Sequence, residues 1–230
     1  CLFTEDGKGI PVAVKHFFEE KNAVPDYCKR YFVIAYGPPA SGKSGILDVL
    51  KTTMPKSFPF LTKQYTVEVN VDKIFQDGPL ADEYKLARDK VTGQGPVHTQ
   101  RLYQYYRWVA DRVSDNVMDL ALLGKFNILW ETTGESIEWS RREIGRVRSL
   151  GYKPLLVYPI VREEELLVRL KKRAVETGQE SSPVKGFSEK IDKAMNNLID
   201  LMCDLSCPEW VLKDLAAFLT NGKAVCSPAR

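Results

Sequence analysis

A lysine, a serine and two carboxylates are spaced in this 230-residue chain as phosphate chemistry needs them. Lys43 and Ser44 close the run Gly37-Pro38-Pro39-Ala40-Ser41-Gly42-Lys43-Ser44, which fits G-x-x-x-x-G-K-[ST] and continues into Gly45. In such a loop the glycines let the backbone approach a phosphate, and the amides at a helix start point donors at the anion. The lysine brings a compact cation to the β- and γ-phosphates, and the serine hydroxyl serves Mg²⁺. ATP or GTP, with Mg²⁺, is the implied ligand. Asp72 closes "YTVEVNVD", and Glu131 closes "KFNILWE" before Thr132, Thr133 and Gly134. A carboxylate at a strand end in an open α/β sheet is placed to orient and deprotonate an acceptor hydroxyl. Asp72 could instead cap the following segment, and Glu131 could be a rim residue. Charge on a transferred phosphoryl also needs a cation. Arg162, Arg169, Lys171, Lys172 and Arg173 follow the fourth apolar strand, with Arg173 the candidate to reach the phosphates. The alternative is a solvated face with pairs such as Glu165 to Arg169.

These groups must be held by a sheet and its helices. "YFVIAY", 31–36, is short, aromatic and β-branched, and it stops at Gly37; it reads as a buried strand. Residues 65–72, 125–134 and 153–161 read as three further strands. Helical patterns lie at 10–20, after Lys43, at 78–91, 98–123, 135–150 and 162–178. Two terminal helices follow, "FSEKIDKAMNNLIDLMCDL" and "PEWVLKDLAAFL". Leu102, Tyr106, Val109, Val113, Val117, Leu120 and Leu123 recur every three or four residues, and Gly124 offers a stop. Strands alternating with helices predict an α/β fold of the P-loop NTPase kind: a mostly parallel sheet with helices on both faces, a three-layer sandwich. The domain spans 31–230, with 1–30 an extension packed on it.

Composition excludes several classes. Net charge is only +3, and the two histidines and five scattered cysteines make neither a zinc quartet nor a disulfide framework. Reduced thiols fit a cytoplasmic or other reducing compartment. No apolar run approaches the roughly 18 residues of a membrane span. The chain begins at Cys1 rather than Met, which reads as a trimmed N-terminus and leaves targeting open. No N-K-x-D tetrapeptide is present to read guanine, and the length is short for a motor, so a small kinase fits best. "RLYQYYRW", 101–108, could stack on bases, yet Tyr106 falls on the core stripe. Nucleic acid is therefore a possible partner but not the favoured one, and oligomeric state is left open.

In order, the P-loop, "VNVDKIF", "WETTG" and "RLKKRAVETG" resemble the zeta-toxin family of P-loop kinases over residues 31 to about 200. The resemblance implies ATP-dependent phosphorylation of a hydroxyl, in the bacterial toxins the 3′-hydroxyl of UDP-N-acetylglucosamine or related nucleotide sugars. It makes Asp72 the base, Glu131 and Thr133 the acceptor lining, Lys43 and Ser44 the ATP and Mg²⁺ holders, and Arg173 the lid arginine. Two positions depart from the pattern. Glu135 stands where the family's third-strand motif has an arginine, a charge reversal that should repel a diphosphate. Lys185 is the nearest cation to a second lid arginine. The acceptor could thus be a nucleotide sugar, another small hydroxyl compound, a nucleic-acid end or a protein. Nucleotide binding without catalysis is a further alternative.

Overall fold

Tyr31–Tyr36 form strand β1, and all six residues are buried. No polar face is needed in a strand covered on both sides, so β-branched and aromatic residues fill every position. The computed structural model describes residues 9–25, 28–38, 40–45, 61–75, 78–91, 93, 96–159, 161–177, 187–205, 219–220 and 223–224. Strand β2 is Thr66–Val69, β3 is Asn127–Thr132 and β4 is Lys153–Val157. These four make one sheet in the order β2-β3-β1-β4. β1 and β4 run parallel, with Tyr31 opposite Lys153 and Ala35 opposite Val157. Helices lie between β2 and β3 and between β3 and β4 along the chain, and the α/β fold expected from the sequence is the one observed.

Three strands are shorter than their sequence patterns suggest, the third running Asn127–Thr132 rather than 125–134. The second ends at Val69, not at Asp72, because the Asn70 side chain accepts from the amides of Asp72 and Lys73 and starts the helix α2, Val71–Ile74. The fourth ends at Val157, and Pro159 beyond it has no N–H to give a ladder. At the P-loop, Lys43–Gly45 form a single 3₁₀ turn, and the helix expected beyond it lies outside the described residues. So does "PEWVLKDLAAFL", except that Leu219, its last residue, begins a two-residue strand, β5, Leu219–Thr220, paired antiparallel with β6, Lys223–Ala224.

The chain divides into two compact units, residues 1–25 with 63–128, and residues 26–62 with 129–230. In the first, helix α1, Gly9–His16, packs on α3, Pro79–Val91, and on the long helix α4, Pro96–Leu123. Phe75 meets Tyr84 edge-on and stacks on Tyr103 at 5.6 Å and 22°. The buried line of α4 runs Tyr106, Val109, Val113, Val117 as expected, but Leu120 and Leu123 are 46% and 78% exposed. Ala121 and Leu122 are buried in their place. With 3.6 residues per turn the line advances by four more often than by three, and from Val117 it reaches Ala121.

The end of α4 also differs from expectation. Gly124 does not take the left-handed turn; Lys125 does, at φ +59°. Phe126 N donates to Ala121 O at 3.1 Å and Lys125 N to Leu122 O at 3.2 Å, the paired bonds of a left-handed helix cap. In the second unit, Tyr31, Val33, Ala35, Leu61, Leu129, Leu155 and Val157 share one buried cluster. Helix α5, Ile137–Ser149, packs on β4 and on α7, Phe187–Leu205. Trp130 lies between Phe32 and Trp139, at ring distances of 5.8 and 4.5 Å.

Lys125→Gly relieves a left-handed lysine and raises stability by about 1 kcal/mol in urea unfolding; an unchanged or lower midpoint contradicts the cap assignment. Burial also raises the phenol pKa of Tyr36, Tyr84, Tyr106 and Tyr158, and pushes Tyr152 up to about 12. The fold holds these phenols neutral, while the unfolded chain ionises from about pH 10. Stability is therefore unaffected below about pH 10 and declines above it, by at most about 1.4 kcal/mol per pH unit for each tyrosine. Urea midpoints measured across that range check the direction.

Candidate functional site

The P-loop begins where β1 ends. Gly37 N donates to Thr132 O of β3 at 3.2 Å, tying the loop to the neighbouring strand end. Ala40 and Gly42 turn left-handed, at φ +62° and +91°. For Gly42 that is ordinary, whereas Ala40 is a strained position of the kind found in ligand-binding loops. Lys43 Nζ donates to the carbonyls of Gly37 at 2.9 Å and Pro38 at 2.8 Å, so the ammonium is folded back on the loop that presents it. Ser41 is buried, and its Oγ has no hydrogen-bond partner. A buried orphan hydroxyl asks for a water or ligand oxygen, and here it sits in the loop whose sequence fits phosphate. Pro39 and the side chain of Ser44 lie outside what the structure describes.

Helix α6, Glu163–Thr177, carries the basic cluster. Among the described residues, Arg169 meets the loop. Its Nη1 donates to Ala40 O at 3.5 Å, and its Nη2 bonds Glu165 at 2.5 Å. The expected i,i+4 pair and a loop contact thus coexist on one side chain. Arg173, the residue favoured from sequence, falls on the same helix one turn later, and its side chain is not described, nor is Lys185.

The segment after β3 is built around one carbonyl. Tyr36 Oη donates to Gly134 O at 2.8 Å, and Asn197 Nδ2 of α7 donates to the same oxygen at 2.7 Å. Gly134 N bonds Thr132 Oγ1 at 3.2 Å. Gly134 has φ +78°, and a Cβ there would lie 2.2 Å from the Tyr36 ring, so only glycine fits. Around this fixed corner, Glu131 is half-buried within β3 and Thr133 is exposed. Glu135 pairs with Lys190 Nζ at 3.7 Å. The charge reversal at 135 therefore comes with a compensating cation on α7. Sequence reasoning missed Lys190 and Asn197, which lie 55 and 62 residues further on in an ordinary amphipathic helix and carry no motif.

In the other unit, Asp72 is the second residue of α2, one turn after the strand it was expected to end. It is exposed, and Arg107 Nη1 of α4 donates to its Oδ1 at 3.1 Å. Asn70, not Asp72, is the cap. Among the described residues no group of three or more His, Cys, Asp or Glu could hold a metal ion, and no helix is long and apolar enough to cross a membrane.

A glycine-rich lysine loop closing a buried strand of a parallel α/β sheet defines a P-loop kinase-like protein. The chain belongs to the zeta toxin family, whose model matches residues 14–207. It is 30% identical over 163 residues to an uncharacterized protein of Acanthamoeba polyphaga mimivirus. That match takes in 60% of this chain and 47% of the relative, so the chain spans about half the relative's length. Its fold is similar to a chain from the PezAT chromosomal toxin–antitoxin system of Streptococcus pneumoniae. The TM-score is 0.57 and identity 14%, over 91% of this chain and 72% of the other.

Gly134→Ala drives a methyl into Tyr36 and lowers stability by about 3 kcal/mol or more. Tyr36→Phe leaves Asn197 on the same carbonyl and costs about 1 kcal/mol. Urea unfolding of the two variants checks that order; equal effects contradict the packing around Gly134.

Proposed function

We propose that this protein transfers the γ-phosphoryl of ATP to a hydroxyl acceptor. The observation that carries the reading is the loop itself: Lys43 held on its Gly37 and Pro38 carbonyls, beside the orphan Ser41 hydroxyl. An anionic phosphate is a stronger acceptor for an ammonium than a neutral carbonyl. Lys43 then turns from the loop to the β- and γ-phosphates, and Ser41 gains a partner. Backbone amides of residues 40–45 complete the cradle. Ser44 would offer a hydroxyl to Mg²⁺, which would supply charge neutralisation when bound.

On the acceptor side, Asp72 takes the proton from the attacking hydroxyl. The acceptor oxygen bonds to the γ-phosphorus, the bond to the bridging oxygen breaks, and ADP leaves. Arg173 serves as the lid cation for charge on the moving phosphoryl. Glu131 and Thr133 line the acceptor, and Glu135, offset by Lys190, does not repel an anionic one as strongly as it would alone. A nucleotide sugar or another small hydroxyl compound is the acceptor class. The family assignment and the order of these motifs support this reading.

The test is transfer from γ-labelled ATP to UDP-N-acetylglucosamine, free nucleosides, short RNA and protein. The expected result is label on a small hydroxyl compound. Asp72→Asn keeps ATP binding and slows transfer by about 100-fold or more. Lys43→Ala weakens ATP binding itself. Label on RNA ends alone points to a polynucleotide kinase. Tight ATP binding with no transfer to any acceptor leaves a nucleotide-binding protein without this activity.

A further inference from the structure

We propose that Arg107 is a positioning residue for the Asp72 carboxylate; this rests on the reading of Asp72 as the base. Asp72 stands on a four-residue helix, and its side chain is 57% exposed. Arg107 gives its carboxylate a charged donor from a neighbouring helix. Its Nη1 holds Asp72 Oδ1 at 3.1 Å, while its Nε lies 3.4 Å from Asp111 Oδ1, four residues on along the same helix. Two contacts on one planar guanidinium fix its plane. The ion pair to that guanidinium gives Asp72 Oδ1 a defined direction.

The support behind Arg107 is rigid. Tyr106, Val109 and Ala110 are buried around it on α4. One turn earlier, Tyr103 stacks on Phe75, the residue that ends α2. The strand-end helix bearing Asp72 and the long helix bearing Arg107 are thus tied at two points. Exposed ion pairs contribute roughly 0–1 kcal/mol to folding, so stability gives little reason for this arrangement. Its effect belongs in the rate, where small displacements of a reacting group are costly.

The experiment measures kcat, the KM for ATP and urea stability of the full chain. UDP-N-acetylglucosamine and, in parallel, water serve as acceptors. Arg107→Gln should lower kcat by about tenfold with the KM for ATP unchanged. Arg107→Lys should recover part of that loss, since lysine restores the charge without the fork. Asp111→Asn should give a smaller fall in the same direction. Arg101→Gln, an exposed arginine on the same helix, should match wild type. In an Asp72→Asn background, Arg107→Gln should change nothing further. The proposal is overturned if Arg107→Gln keeps the wild-type kcat, or loses activity only in step with stability. A wild-type chain inert toward water and toward every acceptor of the transfer screen overturns the reading of Asp72 and this proposal together; an active one with an indifferent Arg107 overturns this proposal alone.

Discussion

The Lys43 ammonium bonded to the carbonyls of Gly37 and Pro38 is the interaction on which the rest of the P-loop depends. It can form only because β1 ends where it does. The buried strand lies in register with β4, and the Gly37 amide is tied to Thr132 of β3. Burying that much apolar surface favours a strand at roughly 25 cal/mol per Å². The loop hung from it is the opposite: a left-handed alanine, a buried unpartnered hydroxyl and a lysine folded back on the loop's own carbonyls. Stable strand and strained loop meet at Gly37. That juxtaposition is common where backbone strain is kept for binding.

The same division runs through the segment after β3. Gly134 is forced by the Tyr36 ring, and its carbonyl takes two side-chain donors, one from the strand that precedes the P-loop and one from α7. Through Tyr36, the last residue of β1, the P-loop strand and the Glu131–Glu135 segment share one anchor. Burial keeps that phenol neutral and donating. Lys190 on the same helix as Asn197 meets Glu135. Helix α7 thus both braces this corner and sets its local charge.

Much of this was legible in the sequence because it depends on local pattern. The uninterrupted apolar run of 31–36, the glycine spacing of the loop and the period of α4 each follow from one segment's own residues. What was not legible depends on residues far apart or on choices between near-equal neighbours. Asn70 outcompetes continuation of β2 and moves Asp72 from a strand end onto a helix. Lys125 rather than Gly124 takes the left-handed turn. Arg169 meets Ala40 across 129 residues, and Arg107 meets Asp72 across 35. No periodicity reports such pairings; only the packing of α4 and α6 selects which arginine points where.

In the proposed function the loop's own carbonyls hold Lys43 until a phosphate replaces them. A crystal structure of the chain with Mg²⁺ and a non-hydrolysable ATP analogue tests it most directly. The account predicts Lys43 Nζ within hydrogen-bond distance of the β- and γ-phosphate oxygens, no longer on Gly37 and Pro38, with Ser41 Oγ bonded to the ligand or its water. A nucleotide bound elsewhere, or a lysine still on its two carbonyls with nucleotide in the loop, contradicts it.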